Sequence, residues 1–212
     1  MNGVLYVAYG ARARRAATAA IASLWQWNDI PVAVISDKLG AVNVPDVQTI
    51  QFPEQDASDL SDVALSRWAK VNMDRLSPWH HALYLDADTR VRGDILQPFR
   101  SIEDGFDMAI CASGYQGNDA YQHVGDVERA MTLQMLTAPL QYQAGVVYFS
   151  RERCKLLFRA WRKRWLEFRG QDQAALSRAM EDEHPRVWLL GRDYNGPAGS
   201  LIEHAFGKAR AL

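Results

Sequence analysis

The sequence predicts an α/β fold, a central sheet flanked by helices, and three observations carry that prediction. Residues 4–9 form an apolar run that reaches Gly10 and passes into 11–27, Ala-rich and helical in pattern. That strand–turn–helix opening is how α/β folds of the nucleotide-binding kind begin. Short apolar runs recur at 31–36, 47–52, 82–85 and 107–112, with helical patterns between several of them. The 212 residues, 48% hydrophobic and 23% charged, suit one globular domain over 1–212 and argue against disorder.

The elements follow in order. After the first strand and helix, residues 31–36 read as a second strand with Asp37 just past its end, and 47–52 as a third. Residues 53–61 are a polar loop. Residues 62–76 are helical, and Ser77-Pro78 stops the helix before the run 82–85. Residues 92–98 turn away from that strand, and 107–112 form another. The segment 114–125 is polar, Gly-containing and without period, a loop for a lid or an acceptor. Residues 131–136 suit a short helix, 141–150 a strand, and 152–168 a long helix. Its Leu156, Leu157, Trp161 and Trp165 share one side, and Arg159, Arg162, Lys163 and Arg164 the other. That helix reads as core-packed; a basic helix with Trp also suits anionic lipid or nucleic acid. Residues 187–195 read as a closing strand. The tail 195–212, with three glycines and one proline, is expected to be flexible until a ligand binds, and to be removable after Pro197 without unfolding.

Composition excludes several classes. Cys111 and Cys154 are too few for a disulfide framework or a zinc cluster, so a reducing cytoplasm is the expected location. No apolar run approaches membrane-spanning length, and no signal peptide is visible. Gly-x-Gly-x-x-Gly and the P-loop pattern are both missing after the first strand. Charge is uneven: residues 1–150 hold 11 Lys and Arg against 17 Asp and Glu, and 151–212 hold 13 against 8. The basic part can face phosphates, an anionic acceptor or a membrane surface.

The run 82–85 ends in Asp86 and Asp88. In an extended chain, side chains two apart point to one side, and two carboxylates held that way cannot both stay buried and unpaired. A hard divalent cation between them takes oxygen ligands and is commonly completed by substrate phosphates. A bare Asp-x-Asp is otherwise a solvated strand end; the apolar strand before it favours the metal.

Leu83-Tyr-Leu-Asp-Ala-Asp-Thr89 resembles the Asp-x-Asp strand of GT-A glycosyltransferases, in particular the glycogenin-like and lipopolysaccharide galactosyltransferase-like group. The resemblance runs from about residue 4 to 208. It implies a single GT-A (Rossmann-like) domain with a mixed central sheet. The donor would be a nucleotide sugar, a UDP-hexose, and the cofactor Mn²⁺ or Mg²⁺. Ala8, Tyr9 and Gly10 would border the nucleotide, and Asp37 would meet uracil or ribose unless it merely caps a turn. Lys70, and after it Arg67, would reach the donor sugar and diphosphate; the alternative for Lys70 is a surface pair with Asp74. Asp86 and Ala87 would contact the donor. Gln141-Tyr-Gln-Ala-Gly-Val146 resembles the family's Asn-Ala-Gly-Val strand, with Gln143 in place of the Asn and Gly145 allowing close approach. Asp172 and Gln173 match an Asp-Gln pair at the reaction centre; Asp172 also suits a helix cap. His204, Gly207 and Lys208 match a C-terminal metal-binding His and a diphosphate-binding Lys, with Ala209-Arg210 where the family has Pro-Trp. The implied reaction is hexosyl transfer by a retaining route, with the metal at Asp86, Asp88 and His204. The alternatives are a nucleotide-sugar-binding module without turnover and, less well supported by the Ala-Arg-Ala-Arg-Arg run at 11–15, a nucleotidyltransferase.

Overall fold

The computed structural model describes residues 1–40, 42–52, 61–138 and 140–206. The expected polar loop at 53–61 and the expected contacts of Gly207 and Lys208 therefore lie largely or wholly outside the described residues.

Seven strands form one mixed sheet: β1 (Asn2–Val7), β2 (Val32–Ser36), β3 (Val47–Gln51), β4 (His81–Leu85), β6 (Met108–Ala112), β7 (Tyr142–Ser150) and β8 (Val187–Leu190). Their order is β3-β2-β1-β4-β7-β6-β8. The first four run parallel, and β7 enters antiparallel between β4 and β6. β1 and β4 are buried on both faces, which is why they read as continuous apolar runs. Two further strands, β5 (Thr89–Val91) and β9 (Ile202–His204), form a separate antiparallel ladder.

Helices cover both faces. α1 (Gly10–Trp25) and α4 (Pro98–Glu103) pack with Val4, Tyr6, Leu83 and Tyr148 on one side. α2 (Asp62–Val71), α6 (Lys155–Leu166) and α7 (Asp172–Glu183) pack with Leu5, Tyr84, Val147 and Phe149 on the other. Gly10 opens α1 with φ +74°, a backbone that favours glycine, and a Cβ there would meet the Asp62 carboxylate. No described helix is long and apolar enough to cross a membrane.

The structure changes several expectations. The helix expected over 62–76 breaks at Asn72, whose Nδ2 donates to the Trp68 carbonyl and takes up a backbone acceptor; α3 (Met73–Leu76) follows. The short helix expected at 131–136 begins earlier, as α5 (Asp126–Met135), with Asp126 and Glu128 in its first turn where the helix dipole favours acids. The loop 114–125 is anchored: Ala120 and Tyr121 are buried with Leu136 and Ala174. On α6, Leu157, Trp161 and Trp165 are buried, but Leu156 is exposed and Arg162 is inside. Arg164 is spent on Asp182 and Glu167. The core-packed reading of this helix holds, since its two tryptophans are interior rather than displayed to a partner. The closing strand stops at Leu190 and gives way to a turn at Arg192–Tyr194. The tail is folded as far as it is described: Asn195, Ile202 and His204 are all buried. Truncation after Pro197 would thus remove β9 and a core residue, against the expectation that it is dispensable.

Arg162 and Asp74 make a buried ion pair at 2.5 Å, and Arg162 also donates to the Val71 carbonyl. Burial pushes the Asp74 carboxyl up despite Arg162, and pulls the Arg162 guanidinium down despite Asp74. Desolvation therefore outweighs the mutual attraction on both partners. Asp74→Ala, which strands a buried cation, should cost about 3–5 kcal/mol in urea unfolding, while Asp74→Leu with Arg162→Met should recover most of that loss.

Candidate active site

The site lies at the C-terminal ends of the parallel strands, the crevice where open α/β sheets place ligands. β4 ends at Leu85, and the Asp86 N–H still bonds to the Gly145 carbonyl on β7 (2.8 Å). A tight turn follows: the Thr89 N–H and hydroxyl both donate to the Asp86 carbonyl (3.1 and 2.8 Å). The turn feeds β5, and β5 pairs with β9 in a register that sets Thr89 opposite His204. Arg92 and Glu203 pair across the same ladder. The Ala205 N–H donates to the Asp88 carbonyl (3.2 Å). This small ladder brings a histidine from the far end of the chain onto the two carboxylates.

His204 Nε2 lies 3.0 Å from Asp88 Oδ1 and 3.5 Å from Asp86 Oδ2. One ligand atom from each of the three residues lies within 4.8 Å of the others, so the group can hold a divalent cation. The space in front of it is kept by Gly145. A Cβ there would overlap the His204 ring and the Asp86 carboxylate. The glycine stands at a bulge, where the β6–β7 register shifts between Ile110 and Cys111. Two carboxylates, one imidazole and a cradle that any larger residue would fill fit a metal of the Mn²⁺ or Mg²⁺ kind.

The other Asp86 oxygen is engaged. Tyr84 Oη donates to Asp86 Oδ1 (2.5 Å), and Lys70 Nζ reaches it at 3.2 Å. Oδ2 is thereby left to the cation side. Lys70, buried on α2, also reaches Asp172 Oδ2 at 2.8 Å and lies 4.8 Å from the Tyr84 ring centroid. Burial alone would lower the Lys70 pKa, but Asp172 and Asp86 outweigh it and hold the ammonium above its usual range. Burial would likewise raise the Asp172 carboxyl, but Lys70 and Arg67 hold it below the usual range. The expected surface pair of Lys70 with Asp74 does not form; Asp74 belongs to Arg162. Nor does Asp172 act as a cap. It is the first residue of α7, the cap is Gln171, and no side-chain cap bond is made.

The remaining candidates are placed as follows. Arg67 donates to the Gly170 carbonyl (3.1 Å) and Gln171 Oε1 (2.9 Å), so it clamps the loop ahead of Asp172. Gln173 is half-buried in the first turn of α7, and Gln143 is half-buried on β7 two residues before Gly145. Ala8, Tyr9 and Gly10 follow β1, which pairs with β4 up to Tyr6 and Leu85, so they lie at the same sheet edge as Ala87. The Tyr9 hydroxyl is committed to the Phe52 carbonyl (2.5 Å). Asp37 is paired with Arg14 (2.7 Å). Sequence reasoning missed two residues. Tyr84 had a signal, since it precedes Asp86 by two in a strand and so shares its side. Asn195, whose Oδ1 lies 2.7 Å from His204 Nδ1, was matched by the resemblance to the final Asn of the family's closing strand but given no role.

No family model matches this chain, and no curated protein matches it in sequence. Solved structures match its fold. Mouse xyloside xylosyltransferase 1 in its apo form superposes with TM-score 0.66 at 13% identity, over 100% of both chains. The galactosyltransferase LgtC, solved with donor and acceptor sugar analogues, gives 0.62 at 15%, over 99% of this chain and 82% of that one. The glycosyltransferase GlyE of Streptococcus pneumoniae TIGR4, in its apo form, gives 0.63 at 14%, over 98% of this chain and 55% of that one. The architecture is thus the GT-A fold of LgtC-type glycosyltransferases, with its mixed sheet and flanking helices.

Gly145→Ala places a methyl inside the cradle. Mn²⁺ affinity, measured by titration, should fall at least about tenfold, in the range seen when ligand support is lost, and the melting point without metal should fall too, because the buried His204 ring and the Asp86 carboxylate must shift to admit the methyl.

Proposed function

We propose that the protein is a metal-dependent glycosyltransferase that moves a hexose from a nucleotide sugar, a UDP-hexose, to an acceptor with retention of anomeric configuration. One observation carries this reading: Asp86, Asp88 and His204 converge at the C-terminal crevice of a GT-A sheet, beside the buried Lys70–Asp172 pair. Mn²⁺ is the favoured cation, because an imidazole suits it better than Mg²⁺. Held by Asp86, Asp88 and His204, the cation would supply Lewis acidity to the diphosphate leaving group.

The chain's own groups account for the rest. Lys70 is held charged and adds positive charge where the leaving group develops its own. Its bridge between Asp86 and Asp172 marks the place a diphosphate and sugar would occupy. Lys208 is proposed as a second cation on the diphosphate. Gln143, Asp172 and Gln173 would line the sugar face, with Gly145 allowing close approach. Ala8, Tyr9, Gly10 and Asp37 would border the base and ribose, and Arg67 acts on Asp172 by holding its loop. An inverting route needs a carboxylate that accepts a proton from the acceptor hydroxyl. Asp172, ion-paired to Lys70 and with its pKa held low, is a weak base for that role, which favours retention. Two free, buried cysteines suit a reducing cytoplasm.

A screen of UDP-hexoses with Mn²⁺ tests the reading, because glycosyltransferases slowly hydrolyse their donors when no acceptor is present. Hydrolysis of at least one donor is expected. Asp88→Asn should lower it by about a thousandfold, matching the several kcal/mol of charge stabilisation a metal supplies. Full turnover by a folded Asp88→Asn protein would remove the metal from the account.

A further inference from the structure

His204 meets an oxygen at each of its ring nitrogens. Nε2 faces the carboxylates of Asp88 and Asp86, and Nδ1 faces the side-chain oxygen of Asn195 at 2.7 Å. Asn195 is buried, just past the turn at Arg192–Tyr194, and its neighbour Gly196 accepts the His204 backbone N–H at 2.9 Å. The Asn195 amide has a fixed orientation. Its Nδ2 donates to the backbone carbonyl of Gln143 at 3.4 Å, which only the –NH₂ end can do, so Oδ1 is the end turned to the ring.

An amide oxygen accepts and cannot donate. To satisfy it, Nδ1 must carry hydrogen, and a neutral imidazole then has its lone pair on Nε2. The carboxylates pull the other way. A hydrogen on Nε2 would bond to Asp88 at 3.0 Å, and that tautomer has no lone pair to give a cation. Asn195 tips the choice between the two. Resting on the metal reading above, we infer that Asn195 is a positioning residue that selects the cation-binding tautomer of His204. Through the Gln143 carbonyl, the same amide ties this ligand to the bulged strand that carries Gly145. Metal ligands of this kind lose affinity when the group behind the histidine is removed.

The test compares wild type, Asn195→Leu and Asn195→Asp by Mn²⁺ titration followed in the electron paramagnetic resonance spectrum. Leucine has the same branching and no acceptor, and should weaken Mn²⁺ binding about 10–100-fold, whereas aspartate keeps an acceptor at Nδ1 and should stay within about threefold of wild type. A second readout uses Zn²⁺ as a diamagnetic ion. Long-range ¹H–¹⁵N spectra should show the His204 proton on Nδ1 in wild type and in Asn195→Asp. Three results would overturn the assignment: Asn195→Leu binding Mn²⁺ like wild type, Asn195→Asp failing as badly as Asn195→Leu while melting like wild type, or Zn²⁺ sitting on Nδ1. The third stands even if the leucine variant does not fold. Wild-type protein that binds no Mn²⁺ would instead contradict the metal reading itself, so the two failures are distinguishable.

Discussion

Two carboxylates at the end of one buried strand, turned to the same side and met there by a buried histidine, set a charge problem that the surrounding structure is arranged to solve. Asp86 and Asp88 cannot leave the crevice, because β4 is locked between β1 and β7 and the turn at Thr89 fixes their direction. Like charges at this range repel, and at 29% and 18% side-chain exposure water screens them only in part. Lys70, which bridges Asp86 to Asp172, balances part of this. The group of Asp86, Asp88 and His204 could hold a cation that balances the rest, on the side of Asp86 Oδ2, Asp88 Oδ1 and His204 Nε2. Tyr84 and Lys70 on one Asp86 oxygen, and Asn195 behind the histidine, leave those three atoms facing inward.

The sheet order follows from this demand as well. A parallel strand beside β4 would run its C-terminal end into the same crevice. The antiparallel β7 instead passes its early residues there, so Gln143 and Gly145 reach the site from the start of the strand. The bulge between Ile110 and Cys111 lets β7 bend at that point while its later residues keep filling both cores. On the far side, α7 begins at Asp172 under the clamp of Arg67, and Arg178 anchors the same helix to Glu128 and Thr132 on α5. The candidate site residues therefore sit on elements that are each tied to the core, which holds their geometry before any ligand arrives.

The local parts of this arrangement were legible in the sequence. The strand buried on both faces and Gly145 as a point of close approach follow from periodicity and from the missing Cβ; Asp86 and Asp88 do converge, but through the turn that bonds Thr89 back to the Asp86 carbonyl and not through the alternation of an extended strand. Lys70 and Arg67 were visible as neighbours on one helix face, but not their partners. Asp172 comes to Lys70 through the packing of α2 against α7, which no local pattern encodes. His204 is the plainest case. A lone histidine near a chain end carries no signal of its own; the family resemblance singled it out, and the β5–β9 register places it. The same long-range pairing explains why the tail looked dispensable, since Gly and Pro content reports local freedom and not the burial of Ile202. The break at Asn72 was missed for the opposite reason, a side-chain hydrogen bond overriding a good helical pattern.

The central claim is that one cation binds where the two aspartates and His204 meet. Electron spin-echo modulation of a single equivalent of Mn²⁺, added with UDP to the full chain, tests it most directly. The account predicts nitrogen modulation from one imidazole, lost in His204→Gln. Bound Mn²⁺ with no coupled nitrogen, or with modulation unchanged in His204→Gln, would contradict it.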